Sequence, residues 1–154
     1  MKLKFSHVDI LVRDLDESVE YYKTIFKCVA SPPIVWNRNG FHVEYVILFN
    51  GSERFYLVKP IAGNLKDMID DKGEGTIYRH CYTVPDIIEA YRELIEAGVQ
   101  PEDENQNPLA ESDLDSPIGT KIIWLPKKFG SLSIELLEEK GMEEEMARVR
   151  ATAQ

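Results

Sequence analysis

The chain has few of the residues that mark specialised classes. It has two cysteines, Cys28 and Cys81, and no CxxC pair. That excludes a disulfide scaffold and a cysteine-based zinc knuckle, and it fits a reducing compartment. There is no long uncharged apolar run, so neither a membrane-spanning helix nor a signal peptide is expected, and a cytoplasmic location follows as the default. Basic residues are scarce: Lys and Arg number 18 against 27 Asp and Glu, a formal net charge of −9. A surface of that sign does not neutralise phosphates, which argues against nucleic acid as a partner. Histidine is rarer still, with three in 154 residues. Each of them therefore merits a question about its purpose.

What is present suits a folded domain. Hydrophobic residues make up 44% and charged residues 29%, enough for one core-bearing domain or two small modules. "FSHVDILV" reads as a strand from about Lys4 to Val12, with His7, Asp9 and Leu11 on one face. "RDLDESVEYYKTIFK" follows as an amphipathic helix capped by Asp14 or Asp16. "FHVEYVILF" is a strand with Phe41, Val43, Tyr45 and Ile47 on one face and His42, Glu44, Val46 and Leu48 on the other. The "NGS" turn then leads into the strand "RFYLVKP". After a polar helix, "GNLKDMIDDKGEG", the layout restarts. "IYRHCYTV" is a strand, Asp86 to Ala97 a helix closed by Gly98, and "TKIIWLP" and "SLSIELLEE" a strand pair. The expected fold is α+β: two tandem βαβββ modules, at about 1–60 and 76–138, with a linker helix at about 61–75. They form one domain and a curled mixed sheet, and residues 139–154 add a helical tail.

The polar residues on these strands suggest chemistry. His7 and His80 stand near corresponding places in the repeat, and Glu135 lies on the last strand. Two imidazoles and a carboxylate suit Zn, Co, Ni, Mn or Fe(II) and leave positions open for substrate. Such a metal would polarise a carbonyl oxygen, with Glu44 as general base and His42 as a second acid/base group. Tyr56, Tyr78 and Tyr82 read as pocket wall, with Tyr56 and Tyr82 able to touch substrate. Lys121, Lys127 and Lys128 could receive a phosphate-bearing substrate, with Lys121 the first candidate.

"HVDILVRDLDESVEYYKTIF", "RHCYTVPDI" and "SIELLE" resemble the vicinal oxygen chelate superfamily, over about residues 5–138. That group includes glyoxalase I, extradiol dioxygenases, bleomycin resistance proteins and, nearest in pattern, methylmalonyl-CoA epimerase. The resemblance implies paired βαβββ modules, a divalent metal, a homodimer and a small-molecule substrate such as an acyl thioester or another carbonyl compound. It places His7, Tyr56, His80 and Glu135 at the metal and Glu44 at the catalytic base. Three activities follow as alternatives: a metal-dependent isomerase or epimerase, an Fe(II) dioxygenase or lyase, and a non-catalytic resistance-type binding protein. Three departures stand out. Tyr56 replaces a better ligand, His42 has no counterpart, and His80 is one residue closer to its following turn than His7 is.

Overall fold

The computed structural model describes residues 1–127 and 133–154. Lys128, a candidate for a phosphate-bearing substrate, and Ser131 and Leu132, the start of the expected strand "SLSIELLEE", lie outside the described residues. The α+β class expected from the sequence is the one that forms. The chain divides into two compact units. One holds Met1–Ser6 and Arg79–Ala147, the other His7–Tyr78 and Arg148–Gln154.

The His7–Tyr78 unit takes most of β1 (Lys4–Leu11), α1 (Leu15–Phe26), β2 (Val29–Ala30), β3 (Ile34–Arg38), β4 (Phe41–Asn50), β5 (Glu53–Ala62) and α2 (Asn64–Lys72). Asp14 caps α1 by accepting from the Glu17 amide at 2.9 Å, and acidic residues fill the first turn, where the helix dipole favours them. β4 and β5 form the hairpin read from "NGS", with Gly51 at φ 57°. β5 then runs parallel to β1, setting Tyr56 beside Asp9. β3, not expected from the sequence, pairs antiparallel with β4 and sets Trp36 opposite Val43. The apolar cluster under α1 joins Ile10, Val12, Leu15, Val46, Leu48 and Leu57. At this unit's far edge the chain end returns to β2: the Ala30 and Gln154 backbones exchange two 2.9 Å hydrogen bonds.

The Arg79–Ala147 unit takes β6 (Ile77–Val84), α3 (Ile87–Glu96), β7 (Ile122–Trp124), β8 (Ser133–Glu138) and α4 (Glu139–Ala151), which spans into Arg148 and beyond. Asp86 caps α3 more completely than Asp14 caps α1, accepting from both Ile88 and Glu89. Gly98 at φ 78° lets the chain leave that helix. β6 runs parallel to β8 and β7 antiparallel to it. Where the repeat predicts a third strand there are only isolated bridges, among them Glu102 with Trp124. The core gathers Val84, Ile87, Ala90, Tyr91, Leu114, Ile123 and Leu136. No helix among the described residues is long and apolar enough to cross a membrane.

Candidate functional site

Within the His7–Tyr78 unit, strand register decides which side chains share a face. Asp9 is beside Tyr56, and Tyr56 is beside Ile47, so His7, Asp9, Tyr56, Tyr45 and Ile47 face one way. His7 is 1% exposed. Its ring stacks on Tyr56 at 3.7 Å with an interplanar angle of 8°, and Tyr56 stacks in turn on Tyr45 at 5.6 Å and 7°. His7 Nε2 lies 3.3 Å from Asp9 Oδ1.

Glu44 and His42 do not join this face. Glu44 pairs across β4–β5 with Lys59, on the side of Val46, Leu48 and α1. His42 lies at a register break, opposite Ala62, next to Val43 opposite Pro60. The expectation grouped them with the polar cleft because both alternate with apolar residues. In fact the alternate, fully apolar positions of β4 carry the aromatic face, and the polar ones lie on the helix side. Both are half-buried at its margin.

The same one-residue logic applies in the Arg79–Ala147 unit. Cys81 pairs with Glu135, Arg79 with Ser133, and Trp124 with Glu135, so these five share a face. His80 pairs with Ile134 and Tyr82 with Leu136, on the side that carries α3. Tyr82 meets Phe5 edge-on at 5.8 Å and packs against the α3 cluster. His80 and Tyr82 are therefore turned away from Glu135, whereas the expected site required them beside it. Lys121 is likewise committed elsewhere: it pairs with Asp115, whose hydrogen bond is the main cause raising the lysine above its usual range.

The residue that meets Glu135 is Arg79. Its Nη1 lies 3.0 Å from Glu135 Oε2, and its Nε is 3.4 Å from Ser133 Oγ. The same oxygen of Glu135 accepts from the Trp124 indole N–H at 2.8 Å, and the guanidinium lies over the Trp124 ring at 5.4 Å. The pair is shielded, with side-chain exposures of 11% and 7%. Lys127 stands close enough that Arg79 adds to the burial that already lowers its ammonium below the usual lysine range.

A signal for Arg79 exists in the sequence. Both helices are capped by an aspartate, Asp14 and Asp86. Counting back the same seven positions from each cap reaches His7 and Arg79, not His7 and His80. The caps are the better ruler because they anchor the strand-to-helix turn. The expected His7–His80–Glu135 ligand set therefore does not fit. One histidine is on the opposite face, and a guanidinium already compensates the carboxylate that a metal would use.

The chain matches the Glyoxalase/Bleomycin resistance protein/Dioxygenase superfamily over residues 6–116. Among curated proteins there is no match. Among solved structures it resembles a hypothetical protein from Bacillus halodurans C-125, with TM-score 0.67, 21% identity, and coverage of 90% of this chain and 96% of that one. It also resembles methylmalonyl-CoA epimerase from Mycobacterium tuberculosis, with TM-score 0.66, 22% identity, and coverage of 87% and 86%. A 4-hydroxymandelate synthase mutant from Streptomyces coelicolor matches with TM-score 0.67 and 18% identity, over 89% of this chain and 49% of that one. These likenesses concern the fold. On the family match, with the paired strand–helix units that agree with it, the chain belongs to the Glyoxalase/Bleomycin resistance protein/Dioxygenase superfamily.

Proposed function

We propose that this chain is a small-molecule-binding member of its superfamily whose site is organised by a guanidinium rather than by a bound metal. The observation that carries this is Arg79, at the repeat position of His7, bonded to Glu135. A buried arginine–carboxylate pair is fixed in charge across the ordinary pH range, because the guanidinium does not deprotonate. It offers a planar, directional set of N–H groups for a carbonyl or carboxylate oxygen. In the other unit, the stacked rings of His7, Tyr56 and Tyr45 form a flat, polarisable surface of their own, which suits an unsaturated or planar group. This corresponds to the resistance-type binding activity among the three alternatives.

The second reading is metal-assisted proton transfer on an acyl thioester or another carbonyl compound. It is favoured by the likeness to methylmalonyl-CoA epimerases, one of them described in complex with methylmalonyl-CoA. Zinc is the ion to test first, since the buried Cys81 and Glu135, which pair on one face of their unit, offer sulfur and oxygen donors. A dioxygenase reading, in which the ion would be Fe(II), rests on the description of the superfamily.

The deciding experiment is elemental analysis of protein purified without chelators, wild type beside Arg79→His and Glu135→Gln. The expected result is a metal-free wild type and an Arg79→His variant that takes up zinc, because the substitution supplies an imidazole at the counterpart of His7. Stoichiometric metal in the wild type, lost in Glu135→Gln, would overturn the proposal. Zn, Co, Ni or Mn would then favour the isomerase, tested by exchange of the substrate α-hydrogen with deuterium. Iron would favour the oxygenase, tested by oxygen uptake.

A further inference from the structure

A cavity lies within the His7–Tyr78 unit. It has a volume of about 430 Å³, where the ends of β1 and β5 meet α2. Its apolar wall is Val12, Ile61 and Ile69, and three cations, Arg13, Lys59 and Lys66, share its lining. Val12 belongs to the apolar cluster beneath α1, so this is the face opposite the His7–Tyr56 stack.

The cations are held in different ways. Arg13 is fixed: Nη1 meets Asp70 Oδ1 at 3.0 Å, Nη2 donates to the Ile69 carbonyl at 3.1 Å, and its backbone N–H donates to Glu74 at 2.7 Å. Lys66 reaches the same Asp70 oxygen at 3.4 Å. Lys59 makes no ion pair among the described residues, and Glu44 stands opposite it across the strand pair. Three positive groups thus gather around apolar walls in a chain of net charge −9. None of the lining residues is a carboxylate. The register break that sets Val43 opposite Pro60 and His42 opposite Ala62 leaves Ile61 unpaired on β5, and Ile61 lines the cavity.

We propose that this cavity binds a small amphipathic anion, an apolar body carrying an oxyanion head that Lys59 holds with Arg13 and Lys66. The volume is that of an ordinary ligand cleft, about 300–1,000 Å³. Apolar walls give an inorganic ion nothing to bury, whereas an alkyl chain gains from leaving water. A fixed guanidinium reduces the ordering cost of binding. The head group is a phosphate or a carboxylate.

The test is an NMR titration of the full chain with hexyl phosphate, hexanoate, hexanol and inorganic phosphate. The two anionic alkyl probes should shift the amide signals of Val12, Lys59, Ile61 and Ile69, while hexanol and inorganic phosphate at the same concentrations shift them far less. Tighter binding of hexyl phosphate identifies the head as a phosphate, and tighter binding of hexanoate as a carboxylate. Lys59→Ala should weaken the anions about tenfold, the usual size of a lost charged hydrogen bond, and Lys59→Arg should retain binding. Thermal melts of both variants check that they fold. Shifts confined to other surfaces, hexanol binding as tightly as the anions, or unchanged affinity in folded Lys59→Ala would each overturn the proposal.

Discussion

In one half of this chain a buried histidine lies against a phenol ring; in the other a buried arginine holds a carboxylate. His7 and Arg79 stand at the same distance before their helix caps, and Tyr56 and Glu135 occupy the same rung of the neighbouring parallel strand. Asp9 and Cys81 correspond in the same way. The two units share a backbone plan and carry different chemistry on it. Duplication of a strand–helix unit repeats positions, and each position is then filled on its own terms. The first half uses aromatic stacking and a His–Asp contact. The second uses a charge pair capped by an indole.

The largest expected effect comes from breaking the charged half. Glu135→Leu leaves Arg79 buried without its carboxylate and should destabilise by about 3–5 kcal/mol, read from denaturant melts. The double variant Arg79→Leu/Glu135→Leu should recover most of that loss. If the single variant melted like wild type, the pair would not be the desolvated interaction described here. Tyr56→Ala in the other half removes a stacked ring and no charge, so a second leucine should give no comparable rescue there.

Gly141→Ala should come next. A Cβ at Gly141 meets Thr120, whose hydroxyl already donates to the Glu138 carbonyl at 3.2 Å. Overpacking of this kind costs about 1–3 kcal/mol. Pairing it with Thr120→Gly, which removes the two nearest atoms, the hydroxyl oxygen and Cβ, should ease the contact, and a double-mutant cycle measures by how much.

The helix caps sharpen the comparison at a finer scale. Asp86 satisfies two amides and Asp14 one. Asp86→Ala should cost about 1 kcal/mol and Asp14→Ala less, near the lower end of the measured range for caps. Equal losses in chemical denaturation would show that the second hydrogen bond contributes nothing.

The smallest effect concerns pH. The Arg13 hydrogen bond holds Asp70 below the usual carboxylate range. A depressed folded value means that stabilisation is present above the unfolded carboxyl pKa and is lost as pH falls through the folded one. Asp70 is exposed, so only a slight acid-side loss is expected, absent in Asp70→Asn and reduced by salt. The same melts between pH 5 and pH 2 would check it.

Much was legible before the structure. The periods of the apolar residues located α1, α3, β4, β5 and β6, and Asp14 was one of two cap candidates for α1. The family resemblance placed His7 and Tyr56 together, and in the structure their rings stack. β3 was hidden, since "IVWNR" lies between Pro33 and an Asn–Gly turn and reads as loop until a partner strand is available. His80, Glu44 and His42 were drawn to the site by their chemical type. A strand has period two, so an offset of one residue puts a side chain on the opposite face.

Local sequence alone determined most of the elements, the internal repeat, the net acidic charge and the supply of donors, because helix and strand periods, caps and turns act over a few residues. Tertiary structure decided which donors face one another. That choice depends on the register between strands far apart in the chain, Cys81 with Glu135 and Asp9 with Tyr56. Register is set by long-range backbone pairing and by which face the helices cover; locally, only the distance of Arg79 from the Asp86 cap points to it.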